Sequence, residues 1–408
     1  RERRGFRPVA LRRPLDRVSA AMEANGAGID LEVVTWGSPQ YGGDSRAVAG
    51  ELAGGVVALH ANNTAFAALL RGGRVATWGN PGFGGDSSRC AHQLAGGVVR
   101  LCGNGSAFSA VTAGGAVVSW GAPSCGGDTS EVVDQLRDGV ASLHANSYAF
   151  AALKEGGSVV AWGDPTRGGD PSARAKFLRR GVKTLHANNV AFAAIKEEGA
   201  VVTWGDPAVS GPSFLAVAER LSEQVTGLLA NTSAFAALKD GGSVVTWGSC
   251  ACGGDSSAVA EQLEGGVRML QASNHAFAAL KEEGACVAWG DPDRGGDLSP
   301  VADQLASGVV ALYGNRRAFA ALKEQGAVVT WGDPGYGGDS KAVCRQLLGG
   351  VASLRGNGYA FTAVKEDLSA VAWGNQERGG DASSVAAQLA GGVVAVYGNQ
   401  RAFAALKE

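Results

Sequence analysis

Charge is scarce in this 408-residue chain: 18% of its residues are Asp, Glu, Lys or Arg, and 36 basic side chains face 38 acidic ones for a net charge of −2. That balance argues against a dedicated nucleic-acid or polyanion surface and leaves only local patches. Histidine is rarer still, at five residues, and proline numbers 12. No run of about 18 apolar residues is present to span a bilayer, and residues 1–32 lack the uninterrupted apolar core of a secretory signal. The seven cysteines (Cys90, Cys102, Cys125, Cys250, Cys252, Cys286, Cys344) are odd in number and scattered. No disulfide framework is legible, so a reducing, intracellular compartment, cytoplasmic or nuclear, is the simpler expectation. The sequence also lacks an initiator Met, as a fragment of a longer protein would.

What abounds is glycine, with 63 residues of 408, about twice the usual share of roughly 7%. No Gly-X-Y period accompanies it, which excludes collagen, and 45% hydrophobic residues argue against disorder. Glycine therefore punctuates short elements. All nine tryptophans fall on one ladder, Trp36, Trp78, Trp120, Trp162, Trp204, Trp247, Trp289, Trp331 and Trp373, at intervals of 42 residues with one of 43. Each is followed by Gly, and a Phe follows about thirty residues on, from Phe66 to Phe403. Eight repeats also carry a Gly-Gly-Asp ending at Asp44, Asp86, Asp128, Asp170, Asp255, Asp297, Asp339 and Asp381. The fifth reads Ser210-Gly211-Pro212 instead, and it is the repeat with the extra residue.

One repeat, read from Trp331, predicts a strand Val328–Gly332, a turn through Asp333-Pro334-Gly335, and a short helix after Asp339-Ser340, capped by Asp or Ser and stopped at Gly349-Gly350. Two further strands are expected at 351–354 and 360–364. A unit this small cannot bury its apolar face alone, so the repeats must stack and share a core, which makes Trp and Phe packing residues first. The domain reading is an arginine-rich non-repeat arm or linker over 1–32 and a nine-repeat array over 33–408. The strand over 33–37 is expected to clasp the last strand, 402–407, closing two open edges.

The segment Val56-Val57-Ala58-Leu59-His60-Ala61-Asn62-Asn63-Thr64-Ala65-Phe66-Ala67-Ala68-Leu69, followed by Gly73-Arg74-Val75-Ala76-Thr77-Trp78-Gly79, resembles the repeat of the regulator of chromosome condensation family. The match recurs throughout 33–408. The resemblance implies a mainly β, β-propeller-like array, each repeat having about three short antiparallel strands plus a short helix or loop; an open superhelical β/α solenoid is the alternative. The chain departs from the family in having nine repeats rather than seven, and a helix where a fourth strand is usual. It also carries Asn62, Asn104, Asn146, Asn188, Asn231, Asn315, Asn357 and Asn399 where the family has Gly. Asn is expected there as the next best residue for a left-handed turn.

No catalytic constellation breaks the repeat pattern, so the chain is expected not to be an enzyme and to use no cofactor. His60, His144 and His186 share one repeat position, but Cys102, Leu229, Gln271, Tyr313, Arg355 and Tyr397 occupy it elsewhere, which does not make a metal row. Cys250-Ala251-Cys252 lacks a second pair. The Gly-Gly-Asp runs share composition with calcium-binding glycine-rich repeats, yet those recur every nine residues, and helix capping explains the Asp. Asn62-Asn63-Thr64, Asn104-Gly105-Ser106 and Asn231-Thr232-Ser233 match glycosylation acceptors and read more simply as turns.

Positions released from the packing rule are those free to meet partners. The residue five after each Trp and the residues around the Asn turn vary most, and in the last three repeats they become Tyr and Arg, the residues enriched at binding hot spots. The candidate partner-binding set is Arg294, Tyr313, Arg316, Arg317, Tyr336, Arg355, Tyr359, Arg378, Tyr397 and Arg401. The expected function is a non-catalytic protein-protein interaction scaffold with a protein partner and no specific nucleic-acid or membrane signal. The resemblance adds two alternatives: the substrate-recruiting part of a larger HECT-type ubiquitin ligase, or guanine-nucleotide exchange on a Ran-type small GTPase.

Overall fold

A computed structural model describes residues 33–35, 38–398 and 400–408. The arm over 1–32, Trp36, Gly37 and Asn399 lie outside the described residues. Val33–Thr35 are not in a strand, and the expected terminal clasp rests partly on Trp36 and Gly37. The described residues form a mainly β array of eight three-stranded antiparallel sheets and a last sheet of two strands, joined by short helices. It divides into two compact units, one ending at Glu155 and including Val160–Asp164, the other made of Gly156–Val159 and Pro165–Glu408. No helix among the described residues is long and apolar enough to cross a membrane, and no disulfide links the cysteines among the described residues.

Each sheet spans the junction of two repeats. In one of them Val309–Gly314 pairs with Ala318–Lys323, which pairs with the Trp strand Val328–Gly332. Four of the middle strands, Ala318–Lys323 among them, read Ala-Phe-Ala-Ala-Leu-Lys without polar alternation because they are buried on both faces; Ala318, Phe319, Ala320 and Ala321 are all fully buried. Alanine on these faces lets neighbouring sheets approach. Thus Ala276, Ala278 and Leu280 of one sheet pack against Leu305, Leu312, Phe319 and Trp331 of the next repeat. Burying each such Phe contributes about 1.5–3 kcal/mol.

Phe and Trp are cross-strand neighbours, as with Phe319 and Trp331, whose rings stack at 5.3 Å and 19°. The Trp also reaches back one repeat: Trp331 Nε1 donates to the Gly295 carbonyl at 3.0 Å and Trp373 Nε1 to that of Gly337 at 3.1 Å. The Gly-Gly pair is required at both positions. Gly337 has φ +90° and a side chain there would stand 2.9 Å from the Phe361 ring, while one on Gly338 would meet the Gly332 carbonyl. The following Asp serves as expected, accepting the N–H two residues on: Asp297 Oδ1 from Ser299 and Asp339 Oδ1 from Lys341, both at 2.8 Å. The helix that follows Asp339 is 3-10 over Lys341–Leu347.

The fifth repeat shows what the Gly-Gly-Asp does by lacking it. Ser210 stands where Gly adopts a left-handed conformation elsewhere, and the segment instead forms two short helices, Pro207–Ser210 and Pro212–Leu215. Three buried groups are left without a hydrogen-bond partner among the described residues: Trp247 Nε1, Asn188 Nδ2 and Thr203 Oγ1. Counted forward from Trp204, as the equivalent groups stand after Trp289 and Trp331, their partners would be the Ser210 carbonyl six residues on, the Val209 carbonyl five on and the Ser213 hydroxyl nine on. The Ser213 hydroxyl points instead to the carbonyls of Ala208 and Val209. Apolar contact offsets the loss in part, since Phe214 packs edge-on against Trp247 at 5.8 Å.

Candidate partner-binding face

The turn Asn among the described residues does not act as a left-handed residue. Among the described residues only Gln224 and Leu368 combine a side chain with positive φ. The Asn side chain is a clamp instead, which is why Gly can be replaced there. In the second compact unit Asn357 Oδ1 accepts the N–H groups of Tyr359 and Ala360 at 2.7 and 2.8 Å, and Nδ2 donates to the Arg378 carbonyl at 2.7 Å. Asn315 does the same for Arg317, Ala318 and the Tyr336 carbonyl. Ser273 substitutes in its repeat, its hydroxyl donating to the Arg294 carbonyl at 3.0 Å. In these repeats the twenty-one-residue reach sets the residue two after the clamping Asn or Ser beside the residue five after the next Trp, so two variable turns of neighbouring repeats become one surface. In the glycosylation-like triplets the same atom is engaged: the Nδ2 of Asn62, Asn104 and Asn231 donates to the carbonyls of Phe83, Cys125 and Cys252.

In the last repeats this clamp assembles five of the ten candidate residues. The rings of Tyr336 and Tyr359 stack at 5.1 Å and 27°. Arg378 lies over the Tyr359 ring with its guanidinium carbon 3.9 Å from the centroid, Arg316 lies 4.9 Å from that ring, and Arg317 lies 4.9 Å from the Tyr336 ring. Arg316 Nη1 also donates to the Tyr359 hydroxyl at 2.6 Å and Nη2 to Gln400 Oε1 at 3.2 Å. Tyr359 is buried, and Tyr336 and the three arginines are half-buried. Arg317 pairs with Asp333 at 3.4 Å. Arg294, at the adjoining turn, pairs with Asp291 at 3.4 Å. Next to it His275 is held below its ordinary pKa by burial, with the Arg294 charge adding to the effect.

The other candidates fall elsewhere. Tyr313, Arg355 and Tyr397 hold equivalent places on the first strands Val309–Gly314, Val351–Gly356 and Val393–Gly398 and form a separate row. Burial pushes the Tyr313 phenol up, opposed by the Arg355 charge. Tyr397 is 64% exposed. Arg401 has the turn place of Arg317 and Tyr359 in the last repeat and is exposed. Sequence reasoning missed Gln400, Asp333 and Asp291, which join the face through contacts, and it missed the clamp, whose signal was the fixed spacing from Asn to the residue five after Trp. It also missed the lysines ending the middle strands: Lys281 and Lys323 donate to the Gln262 and Gln304 carbonyls, closing the ends of the short helices.

Two clefts bear on the choice of site. One follows Val328–Gly332, lined by Asp297, Lys323, Cys344 and Leu347, and another follows Val75–Gly79 with Asp86 and Leu94. They occupy equivalent places in two repeats, so they belong to the shared frame. No group of three His, Cys, Asp or Glu side chains among the described residues is placed to hold a metal.

No family model matches the chain, and no curated protein matches it. Solved structures resemble it distantly. The ectodomain of the receptor kinase CR4 of Physcomitrella patens shares 16% identity, with 68% of this chain and 72% of that one covered and a TM-score of 0.36. Prp20p of Saccharomyces cerevisiae, studied for its binding to Gsp1p and histones, shares 17% identity over 62% of this chain and 75% of its own, with a TM-score of 0.34. Human WBSCR16 shares 14% over 76% and 82%, with a TM-score of 0.32. Likeness at this level assigns none of those proteins' activities to this chain.

Proposed function

We propose that the chain is a non-catalytic protein-interaction scaffold whose partner face is the Arg–Tyr cluster of the last three repeats. One observation carries this reading. Residues shared by the repeats are buried or hydrogen-bonded within the frame, whereas the variable turn residues converge on two stacked tyrosines flanked by three guanidiniums. A rigid aromatic pair with adjacent arginines loses little side-chain entropy on binding, which is the composition of interface anchors. The even spacing of the repeats serves to hold such turns side by side.

The test is recovery of partners from native lysate by the whole chain and by a pooled variant carrying Arg316→Ala, Arg317→Ala and Arg378→Ala. Loss of one or more partners, with an unchanged melting temperature, is expected. An identical partner set from both proteins sinks the proposal.

A further inference from the structure

We infer that the partner segment recognised by this face is an acidic peptide, whose carboxylates engage Arg316 and Arg378. This rests on the scaffold reading and adds the chemistry of the partner to it. The cations of the cluster are not equivalent. Arg294 and Arg317 already face Asp291 and Asp333. Among the described residues Arg316 donates to neutral acceptors, the Tyr359 hydroxyl and Gln400 Oε1, and Arg378 lies on the Tyr359 ring. Two half-buried guanidiniums thus lie within 5 Å of the centroid of one phenol ring, at 4.9 and 3.9 Å, without a carboxylate among their contacts.

Bringing two like charges to one ring is unfavourable in the free protein, and stacking offsets only part of it. An anionic side chain reverses that balance. The guanidinium edge presents paired N–H donors that match a carboxylate in bidentate fashion, and stacking on Tyr359 fixes the plane from which they point. Gln400 and the Arg378 clamp through Asn357 keep this arrangement in register before the partner arrives. Two acids already in place, Asp333 on Arg317 within the cluster and Asp291 on Arg294 at the adjoining turn, narrow the choice. They leave room for one or two carboxylates on Arg316 and Arg378 and repel a long phosphodiester backbone, which favours a peptide over a nucleic acid.

The experiment is a fluorescence-anisotropy titration of the full chain, at low ionic strength, with labelled octaglutamate, labelled octaglutamine and labelled oligothymidylate. Saturable binding of octaglutamate, with no binding of octaglutamine, is expected. The double variant Arg316→Gln with Arg378→Gln should weaken it by about tenfold or more, and Arg316→Lys with Arg378→Lys should weaken it less, since charge is kept and the fork is lost. Arg137→Gln, in the other compact unit, should leave it unchanged. Absence of saturable binding, equal binding by the glutamine variant, or tighter binding of oligothymidylate overturns the inference. The two proposals separate cleanly: lost lysate partners without octaglutamate binding refutes the acidic partner alone, and octaglutamate binding with an unchanged partner set refutes the scaffold role.

Discussion

Removing the indole N–H from two tryptophans, one hydrogen-bonded and one not, should cost the fold very different amounts. Trp331→Phe deletes a donor bonded to the Gly295 carbonyl at 3.0 Å, whereas Trp247→Phe deletes a fully buried donor that has no partner. Both substitutions remove the same ring atoms and keep a stacked aromatic against Phe319 or Phe235, so the cavity cost largely cancels between them. At Trp331 a net hydrogen bond of about 0.5–1.5 kcal/mol is lost and the Gly295 carbonyl is left buried. At Trp247 the penalty of an unsatisfied buried donor, about 1–3 kcal/mol, is relieved. Trp331→Phe should therefore be the more destabilising by about 2–3 kcal/mol. The edge contact of Phe214, specific to Trp247, works against this difference and is partly retained by Phe. Urea unfolding followed by circular dichroism measures the difference. Because stacked repeats interact mainly with their neighbours, hydrogen exchange of Val244–Gly248 and Val328–Gly332 should be read alongside it. A Trp247→Phe variant as destabilised as Trp331→Phe would refute the view that the Gly-Gly-Asp turn exists to satisfy the Trp of the next repeat.

Further outcomes follow from the same frame. Gly337→Ala should destabilise by about 1–3 kcal/mol in urea melts, through a left-handed backbone and contact with the Phe361 ring; a neutral effect would remove the steric account of the pair. The carboxyls of Asp86, Asp255, Asp339 and Asp381 are held below their ordinary value chiefly by the backbone N–H two residues on. Their folded pKa is thus below the unfolded one, so their contribution is complete above about pH 4 and is lost as pH falls through the folded values. The urea midpoint should fall as pH drops below about 4, and a flat profile contradicts the capping role. Burial pushes the Cys286 thiol up to about 12 and the Cys90 thiol up to about 11, while Cys250 and Cys344 are exposed. Iodoacetamide at mildly alkaline pH should label the exposed pair first in peptide mass spectra, and early labelling of Cys286 would show that its strand opens.

The array was legible because its rules are local and repeated. Trp, Gly and Phe recur at fixed spacing, and the alternation of strand, turn and short helix follows from residues such as Val328–Gly332 and Gly349-Gly350 without reference to distant contacts. The Asp of Gly-Gly-Asp was legible too, since its partner lies two residues away. The Asn turn was misjudged because its role is not local: Asn357 looks like a turn residue in sequence, while its amide is committed to the carbonyl of Arg378 in the next repeat. The candidate face divided for a related reason. Tyr313, Arg355 and Tyr397 share composition with Tyr336, Tyr359 and Arg378, but strand register and a clamped turn place them in different rows. Composition alone does not separate residues whose neighbours are set forty residues away.

The most direct test of the division between shared frame and specialised turns uses the chain's own repeats as donors. Arg316→Thr with Arg317→Ser installs the residues found at the equivalent positions 232 and 233, which the same frame already accommodates. Melting temperature and recovered partners are measured together against the unsubstituted chain. The account predicts an unchanged melting temperature with loss of the partner. A lowered melting temperature with the same partners recovered would contradict it, because the arginines would then belong to the frame.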